Sequence, residues 1–344
     1  MARIAINGFG RIGRLFLRQV LAERKSILRR SACDVVAIND LGSVENLAYL
    51  LQYDSVYGRM AGTVEARKGS IEINGKKITF LQEKELTALP WKKLGVDIVI
   101  ESTGAFESYE KAKGHLAAGA RRVIITAPTT DEDGPMGKTV LMGVNEGELK
   151  TAALSSNGSC TTNAAAPIIE ILSRDPGIEK AVLNTVHGYT GTQNLVDGPV
   201  RGKDYRRGRA AAQNIVPSTT GAALAVTRAL PGLKGKFDGI AMRVPVLSGS
   251  LADITFIAKR RTNAEEVNNL LRAASKSPKW KGIFAVTEKP LVSSDIIGEP
   301  YGAVADLSFT KVIDGNLVKV LSWYDNEFGY VATLVKHAER VAAL

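Results

Sequence analysis

The sequence predicts an α/β protein: a Rossmann-type doubly wound parallel sheet plus an α+β domain whose sheet is mostly antiparallel. Three observations predict it. The first forty residues run strand, glycine turn, helix, strand, the unit from which parallel sheets are assembled. The later apolar positions Val244, Val246, Leu251, Ile254, Phe256 and Ile257, with runs at Ala303 to Phe309 and Leu317 to Ser322, mark a second sheet. A chain of 344 residues also exceeds what one hydrophobic core organises, so two domains are expected.

The elements follow in order. Ile4, Ala5 and Ile6 form the first strand, and Gly8-Phe9-Gly10-Arg11-Ile12-Gly13 is the turn after it. Gly8 permits a sharp bend, Gly10 lets backbone approach a pyrophosphate, and Gly13 lets the helix pack close to the strand. Leu15, Phe16, Val20 and Leu21 carry the helical face, and Val35 to Asn39 is the second strand. Asp40 then ends that strand, where a carboxylate accepts from a ribose diol and repels a 2′-phosphate, so NAD is expected over NADP. The alternative for Asp40 is a turn-stabilising aspartate. Its separation from Gly13 exceeds the roughly 20 residues usual for this fingerprint. The excess falls on the basic segment Glu23 to Arg30, expected to prolong the helix or its loop. Val96 to Ile100, Val123 to Thr126 and Val140 to Val144 read as further buried strands. Glu101-Ser102-Thr103-Gly104 and Thr126-Ala127-Pro128 follow two of them at carboxyl ends, where open α/β sheets hold ligands, which makes Thr103, Gly104 and Thr126 candidate cofactor contacts.

Ser159-Cys160-Thr161-Thr162-Asn163 places one of only two cysteines at the first turn of a helix, continued by Ala164, Ala165, Ile168, Ile169 and Leu172 on one apolar face. Free N–H groups and the helix dipole there favour a thiolate. Pro167 removes one backbone bond and is expected to bend the second turn. A lone cysteine is often a small buried hydrophobe, but its hydroxyl neighbours and the following Asn argue against a greasy pocket. Among three histidines, His187 ends the strand-like run Ala181 to Val186 and opens a loop, so its ring can project towards Cys160 and share a proton with it. His115, in the stretch Tyr109 to Ala118, and His337 read as ordinary helix residues.

The loop from Gly188 to about Gly208 is of a length that is usually functional. Pro217-Ser218-Thr219-Thr220-Gly221 supplies hydroxyls before an Ala-rich helix, an arrangement suited to an anion. Arg243, in Met242-Arg243-Val244-Pro245, is a cation in an apolar segment, which fits a structural ion pair as well as a phosphate clamp.

A composition of 45% apolar and 23% charged residues excludes a disordered chain. No apolar run reaches membrane length, so no membrane partner is expected, and the opening Arg3-Ile4-Ala5-Ile6 predicts no secretory leader. Cys33 and Cys160 offer neither a disulfide framework nor a zinc spacing, so no metal is expected and a reducing, cytoplasmic compartment is. The net charge of +10 includes Arg29-Arg30, Arg121-Arg122, Arg206-Arg207 and Arg260-Arg261, which are scattered rather than massed. Anionic metabolites, not nucleic acid, are the expected partners.

Taken together, Asn7-Gly8-Phe9-Gly10-Arg11-Ile12-Gly13-Arg14, Ser159-Cys160-Thr161-Thr162-Asn163, His187-Gly188-Tyr189-Thr190, Thr219-Thr220-Gly221, Met242-Arg243-Val244-Pro245 and Trp323-Tyr324-Asp325-Asn326-Glu327-Phe328-Gly329-Tyr330 resemble phosphorylating glyceraldehyde-3-phosphate dehydrogenase, in order and from end to end. The resemblance implies an NAD-binding domain over 1–159, completed by a C-terminal helix over 325–344, and a catalytic domain over 160–324. It implies Cys160 as nucleophile and His187 as base, and binding of NAD by Gly8 to Gly13, Asp40, Thr103, Gly104 and Thr126. Thr190, Arg207 and Arg243 would hold the phosphate of glyceraldehyde 3-phosphate. Ser159, Thr161, Thr220 and Gly221 would hold inorganic phosphate, and Asn326, with Tyr330 nearby, would orient the nicotinamide. A homotetramer, with loop 188–208 near a neighbour's cofactor, is implied as well.

Several positions depart from the commonest family pattern. Ala164 stands where many members have a second cysteine and Leu224 where a lysine is frequent, while Gly158, Gly188 and Tyr301-Gly302-Ala303 also differ. The nearest alternative is a sister activity on erythrose 4-phosphate ending in hydrolysis. A nucleic-acid-binding role on the same fold is a remoter one.

Overall fold

The computed structural model describes residues 1–25, 31–200 and 202–344. They form two compact units, Met1–Gly158 with Val331–Leu344, and Ser159–Tyr330. Arg29, Arg30 and the greater part of the basic segment thought to lengthen the first helix lie outside the described residues.

The first unit is built on a nine-stranded sheet. Its strands are β1 (Ala2–Asn7), β2 (Cys33–Asn39), β3 (Val64–Arg67), β4 (Ser70–Ile73), β5 (Lys76–Leu81), β6 (Ile98–Glu101), β7 (Arg122–Ile125), β8 (Gly137–Thr139) and β9 (Leu154–Ser156). Their order is β3-β4-β5-β2-β1-β6-β7-β9-β8, and only the β3-β4 and β4-β5 pairings are antiparallel. Helices α1 (Arg11–Lys25), α2 (Val44–Gln52) and the single turns α3 (Trp91–Leu94), α4 (Tyr109–Ala112) and α5 (Gly114–Ala117) connect them. Ala5, Trp91, Val99, Tyr109, Val123 and Ile125 belong to one buried cluster. Strand order reverses beside β1, the place where such sheets bind ligands.

Val140 to Val144 is not a strand. It is buried, but Gly143 turns the chain at φ 77°, and the Asn145 side chain takes the Leu141 N–H at 2.8 Å and returns a bond to the Thr139 carbonyl at 2.8 Å. The Val140 N–H still donates to the Ser156 carbonyl of the neighbouring strand at 2.9 Å, and from Leu141 onward the Asn145 side chain replaces that strand as partner.

The second unit holds a seven-stranded sheet of β10 (Ile178–Gly188), β11 (Val216–Thr219), β12 (Phe237–Val244), β13 (Ser250–Ala258), β14 (Phe284–Thr287), β15 (Ala303–Ile313) and β16 (Leu317–Tyr324). The order is β11-β12-β10-β13-β16-β15-β14, with β10-β12 and β14-β15 parallel and the remaining pairs antiparallel. Helix α6 (Cys160–Arg174) packs on this sheet beside α7 (Ala222–Ala229) and α8 (Ala264–Ser275). Strict alternation of buried and half-buried residues along β13 and β16 shows which face meets those helices. The last helix, α9 (Phe328–Ala342), contributes its residues from Val331 onward to the first unit.

Candidate active site and nucleotide loop

In the first unit the glycine loop has the geometry its sequence demands. Gly8 sits at φ 92°, and a Cβ there would lie 2.5 Å from the Thr103 nitrogen, so only glycine fits. A Cβ on Gly13 would stand 2.3 Å from the Gly8 carbonyl oxygen, whereas one on Gly10 meets nothing within 4 Å. The open position is the one assigned to a pyrophosphate, at the start of a 15-residue helix with no acidic residue in its first turn. These residues fit a dinucleotide.

Asp40 braces this loop: one carboxylate oxygen accepts from the Phe9 N–H at 2.7 Å and the other from the Gly42 N–H at 2.8 Å. Arg11 pairs with Asp54 at 2.7 Å. The adjacent loop is tied to the same place, since the Ser102 hydroxyl donates to the Gly8 carbonyl at 2.7 Å and the Thr126 hydroxyl to the Glu101 carbonyl at 3.1 Å. Thr103 and Gly104 are exposed beside it.

Sequence reasoning missed what lies beneath. Glu101 and His115 are buried, with the His115 Nε2 2.9 Å from the carboxylate and its Nδ1 accepting from the Trp91 indole at 3.0 Å. His337 is likewise buried, between the Ser155 hydroxyl (2.9 Å) and Asn157 Oδ1 (3.0 Å), and burial pushes its pKa down to about 3. Neither is an ordinary helix residue. Their partners are remote in sequence, and helical periodicity carries no trace of them.

In the second unit Ser159 caps α6 through a reciprocal box: its hydroxyl accepts from the Thr162 N–H at 3.0 Å, and its own N–H donates to the Thr162 hydroxyl at 3.1 Å. Cys160 is thereby the first helical residue, and its Sγ lies 3.3 Å from Nε2 of His187, at the end of β10. Burial pushes the thiol up, while the Arg243 charge and the N–H groups of Cys160 and Thr161 pull it back. Burial, and then the Arg243 charge, push His187 down to about 3. Burial thus favours the neutral form of each group, while the Arg243 charge and the N–H groups at the helix start favour the thiolate.

Arg243 continues the line. Its Nη1 stands 2.7 Å from His187 Nδ1, and no carboxylate pairs with it among the described residues. The structural ion pair allowed by sequence is therefore absent there. Beneath the imidazole, the Tyr324 hydroxyl bonds Thr161 at 2.8 Å and Thr185 at 2.7 Å, and its ring meets His187 edge-on at 5.8 Å. Behind the histidine, the Gly188 N–H donates to Ser250, whose hydroxyl donates to Asn326 Oδ1 at 2.7 Å, with Ser248 at 3.3 Å from the same oxygen. Asn326 is thus held by its oxygen. Tyr324, Ser248 and Ser250 were not anticipated; the one available signal was a pair of serines flanking Gly249 where an apolar strand begins.

Thr190, Arg207, Thr220 and Gly221 form no hydrogen bond to Cys160, His187 or Arg243 among the described residues. Thr190 meets Thr192 at 3.0 Å, Arg207 lies 3.5 Å from Asp204, and the Thr220 hydroxyl accepts the Ala222 N–H beside Gly221, which caps α7. Tyr330 is buried. Gly188 now has a steric reason, since a Cβ would come within 2.8 Å of the Val246 carbonyl oxygen. Leu224 is half exposed on α7, and nothing in the structure explains its replacing a lysine.

Comparison with known proteins gives a consistent result. Residues 2–109 match the family model for the glyceraldehyde 3-phosphate dehydrogenase NAD binding domain, and residues 159–326 match that for the glyceraldehyde 3-phosphate dehydrogenase C-terminal domain. The chain is similar to proteins named glyceraldehyde-3-phosphate dehydrogenase: 48% identical to one from Mycolicibacterium smegmatis, covering 95% of each chain, and 46% identical to one from Streptomyces coelicolor, covering 97% of this chain and 96% of the relative. A Borreliella burgdorferi protein of the same name is 45% identical over 98% of this chain and 99% of its own.

Proposed function

As the chain belongs to the glyceraldehyde-3-phosphate dehydrogenase family of NAD-dependent dehydrogenases, we propose that it oxidises D-glyceraldehyde 3-phosphate and joins the product to inorganic phosphate, giving 1,3-bisphosphoglycerate in glycolysis and gluconeogenesis. The observation that carries this reading is the 3.3 Å contact between Cys160 Sγ and His187 Nε2 at the start of a capped helix.

Cys160 attacks the aldehyde carbon as its proton passes to Nε2 of His187, and His187 hands that proton to the resulting alkoxide, giving the hemithioacetal and a free base. His187 then takes the hydroxyl proton while hydride leaves, and Cys160 retains the acyl group as a thioester. Bound NAD supplies the hydride acceptor. The Cys160 N–H and protonated His187 steady the oxyanion, and phosphate attack on the thioester carbon releases the acyl phosphate and the thiolate.

Thr190, Arg207 and Arg243 hold the substrate phosphate; Ser159, Thr161, Thr220 and Gly221 hold the attacking phosphate. Support for the first set is Arg243, a mostly buried cation with no carboxylate partner among the described residues. Asn326, whose Nδ2 has no protein partner among the described residues, orients the nicotinamide carboxamide, with Tyr330 close by. The first unit is the NAD domain and the second the catalytic domain. Exposed Leu195, Val196, Tyr205 and Ile215 on and just beyond loop 188–208 support burial of that segment in a homotetramer. A cytoplasmic location fits two free cysteines.

The test is Cys160→Ser, which should keep NAD affinity and lose the burst of NADH; a burst of wild-type size would refute the nucleophile. Turnover of glyceraldehyde 3-phosphate should require inorganic phosphate. Faster, phosphate-independent turnover of erythrose 4-phosphate would move the assignment to the sister activity.

A further inference from the structure

Asn326 is held by a chain of hydrogen bonds that begins on the strand carrying His187. The Gly188 N–H donates to the Ser250 hydroxyl at 3.1 Å, and that hydroxyl lies 2.7 Å from Asn326 Oδ1. A peptide N–H can only donate, so it occupies an acceptor position on the serine oxygen, and the single hydroxyl hydrogen needs an acceptor of its own. Ser250 is 1% exposed and forms no other hydrogen bond through its side chain among the described residues, so that acceptor is the Asn326 oxygen. An amide turned the other way would set its NH₂ against Ser250 and strand the buried hydroxyl hydrogen. The second serine does not share the task. Ser248 lies 3.3 Å from the same Asn326 oxygen but 2.8 Å from Asp325 Oδ1, and its one hydrogen goes to the carboxylate. Asp325 in turn fixes the main chain. Its Oδ1 also accepts from the Glu327 and Phe328 N–H groups at 2.9 and 3.0 Å, and its Oδ2 from the Gly298 N–H at 2.8 Å. Between the serines only glycine fits, because at φ 89° a Cβ on Gly249 would clash with the Ser293 carbonyl oxygen. Asp325 therefore places Asn326, and Ser250 alone sets the direction of its amide.

We propose that Ser250 is a positioning residue that determines which end of Asn326 reads the cofactor: with Oδ1 held from behind, the amide presents Nδ2, a donor, and the site recognises the carbonyl of the nicotinamide carboxamide rather than its NH₂. This rests on the reading of Asn326 as the nicotinamide contact. One consequence concerns specificity. A dinucleotide whose pyridine ring carries an acetyl group keeps the carbonyl, lacks the NH₂, and satisfies the same donor. A second concerns alignment, since β10 carries both the base His187 and, one residue on, the N–H that anchors the amide. The group that orients the ring and the group that takes the proton are thereby referred to one rigid strand.

The test is equilibrium binding, which needs no turnover, of three ligands: NAD, its acetylpyridine analogue, and ADP-ribose, which lacks the ring. Wild-type protein should bind NAD and the analogue within about threefold of each other, less than a well-made hydrogen bond is worth. In Ser250→Ala the affinity for both should fall about tenfold while that for ADP-ribose stays unchanged. A merely structural loss would weaken all three alike. Ser250→Cys leaves the Gly188 N–H an acceptor and offers Asn326 only a weak S–H donor, so it reads the same quantity with less disturbance of the fold and should show a smaller loss. Asn326→Ala should match Ser250→Ala, and the double variant should lose no more than either alone. An analogue bound about tenfold or more weaker than NAD by the wild type would mean that the NH₂ is what the site reads, and would overturn the proposal. Equal losses for all three ligands, or losses that add in the double variant, would overturn it too. Asn326→Ala separates the two levels. If it keeps the wild-type preference for NAD over ADP-ribose, the reading of Asn326 falls and the proposal with it; if it loses that preference while both Ser250 variants keep it, the proposal alone falls.

Discussion

Replacing Glu101 with glutamine conserves shape and changes only which atoms accept hydrogen bonds, so its cost can be worked from the structure. One carboxylate oxygen accepts from Asn7 Nδ2 at 2.6 Å and His115 Nε2 at 2.9 Å; the other accepts from the Thr103 N–H at 2.9 Å and the Thr103 hydroxyl at 2.5 Å. None of the nitrogen donors can turn away. Trp91 donates to His115 Nδ1, which leaves the proton on Nε2. Asn7 Oδ1 accepts from Asn39 at 2.7 Å, and Asn39 Oδ1 is held by the Glu83 N–H at 2.8 Å, so both amides have one orientation. A glutamine must point its NH₂ at one pair of donors. Facing Thr103 is the lesser penalty, because a hydroxyl can rotate to accept, but the Thr103 N–H is orphaned. Such a group costs about 1–3 kcal/mol, and the remaining bonds lose their charge assistance. The expected result is a destabilisation of about 2 kcal/mol in urea unfolding, with faster hydrogen exchange along β1 and β6. NAD binding should weaken, since Thr103 packs against Gly8. Unfolding free energy within about 0.5 kcal/mol of wild type, the range of ordinary surface substitutions, with unchanged NAD affinity, would refute the reasoning.

Two further outcomes are expected. The folded pKa of His337, about 3, lies below the ordinary 6.5, so the unfolded chain binds the extra proton between them. Stability from this group is full above pH 6.5 and declines by about 1.4 kcal/mol per pH unit as pH falls towards 3. Urea unfolding at pH 7 and pH 5 should show the loss, and His337→Gln should reduce it; a variant as acid-sensitive as wild type would count against the assignment, His187 contributing equally to both. Tyr324→Phe leaves the buried Thr161 and Thr185 hydroxyls without their shared partner, at about 1–3 kcal/mol, while keeping Cys160 and His187. Its turnover should fall less than that of His187→Asn, and a larger fall would mean that the Tyr324 hydroxyl takes part in the proton path.

The parts of the fold governed by local chemistry were legible in the sequence. A strand, three glycines at fixed spacing and a helix leave one arrangement open, and Ser159 before Cys160 announces a helix start. A strand that ends in histidine also aims its ring at a definable place. What stayed hidden depends on partners far along the chain. Val140 to Val144 has the composition of a buried strand, yet Asn145 bends it into a turn. His337 sits in a regular helix, and its role comes from Ser155, 182 positions earlier. Arg243 was posed as ion pair or phosphate clamp, and its contact with His187 Nδ1 belongs to neither, because it arises where β10 and β12 pair in parallel and set residues 187 and 243 side by side.

The first unit is assembled from both ends of the polypeptide. Thr333 lies 3.2 Å from Asn157, and His337 bridges Asn157 and Ser155, so strand β9 finds its polar partners in the final helix. During synthesis, residues up to 158 leave the ribosome long before those partners exist. At about 5–20 residues per second, the intervening stretch takes on the order of 10–30 s to be made. For that interval the nascent N-terminal half carries buried-type serine and asparagine side chains without counterparts. Termination before Thr333 would therefore damage the part of the protein made first.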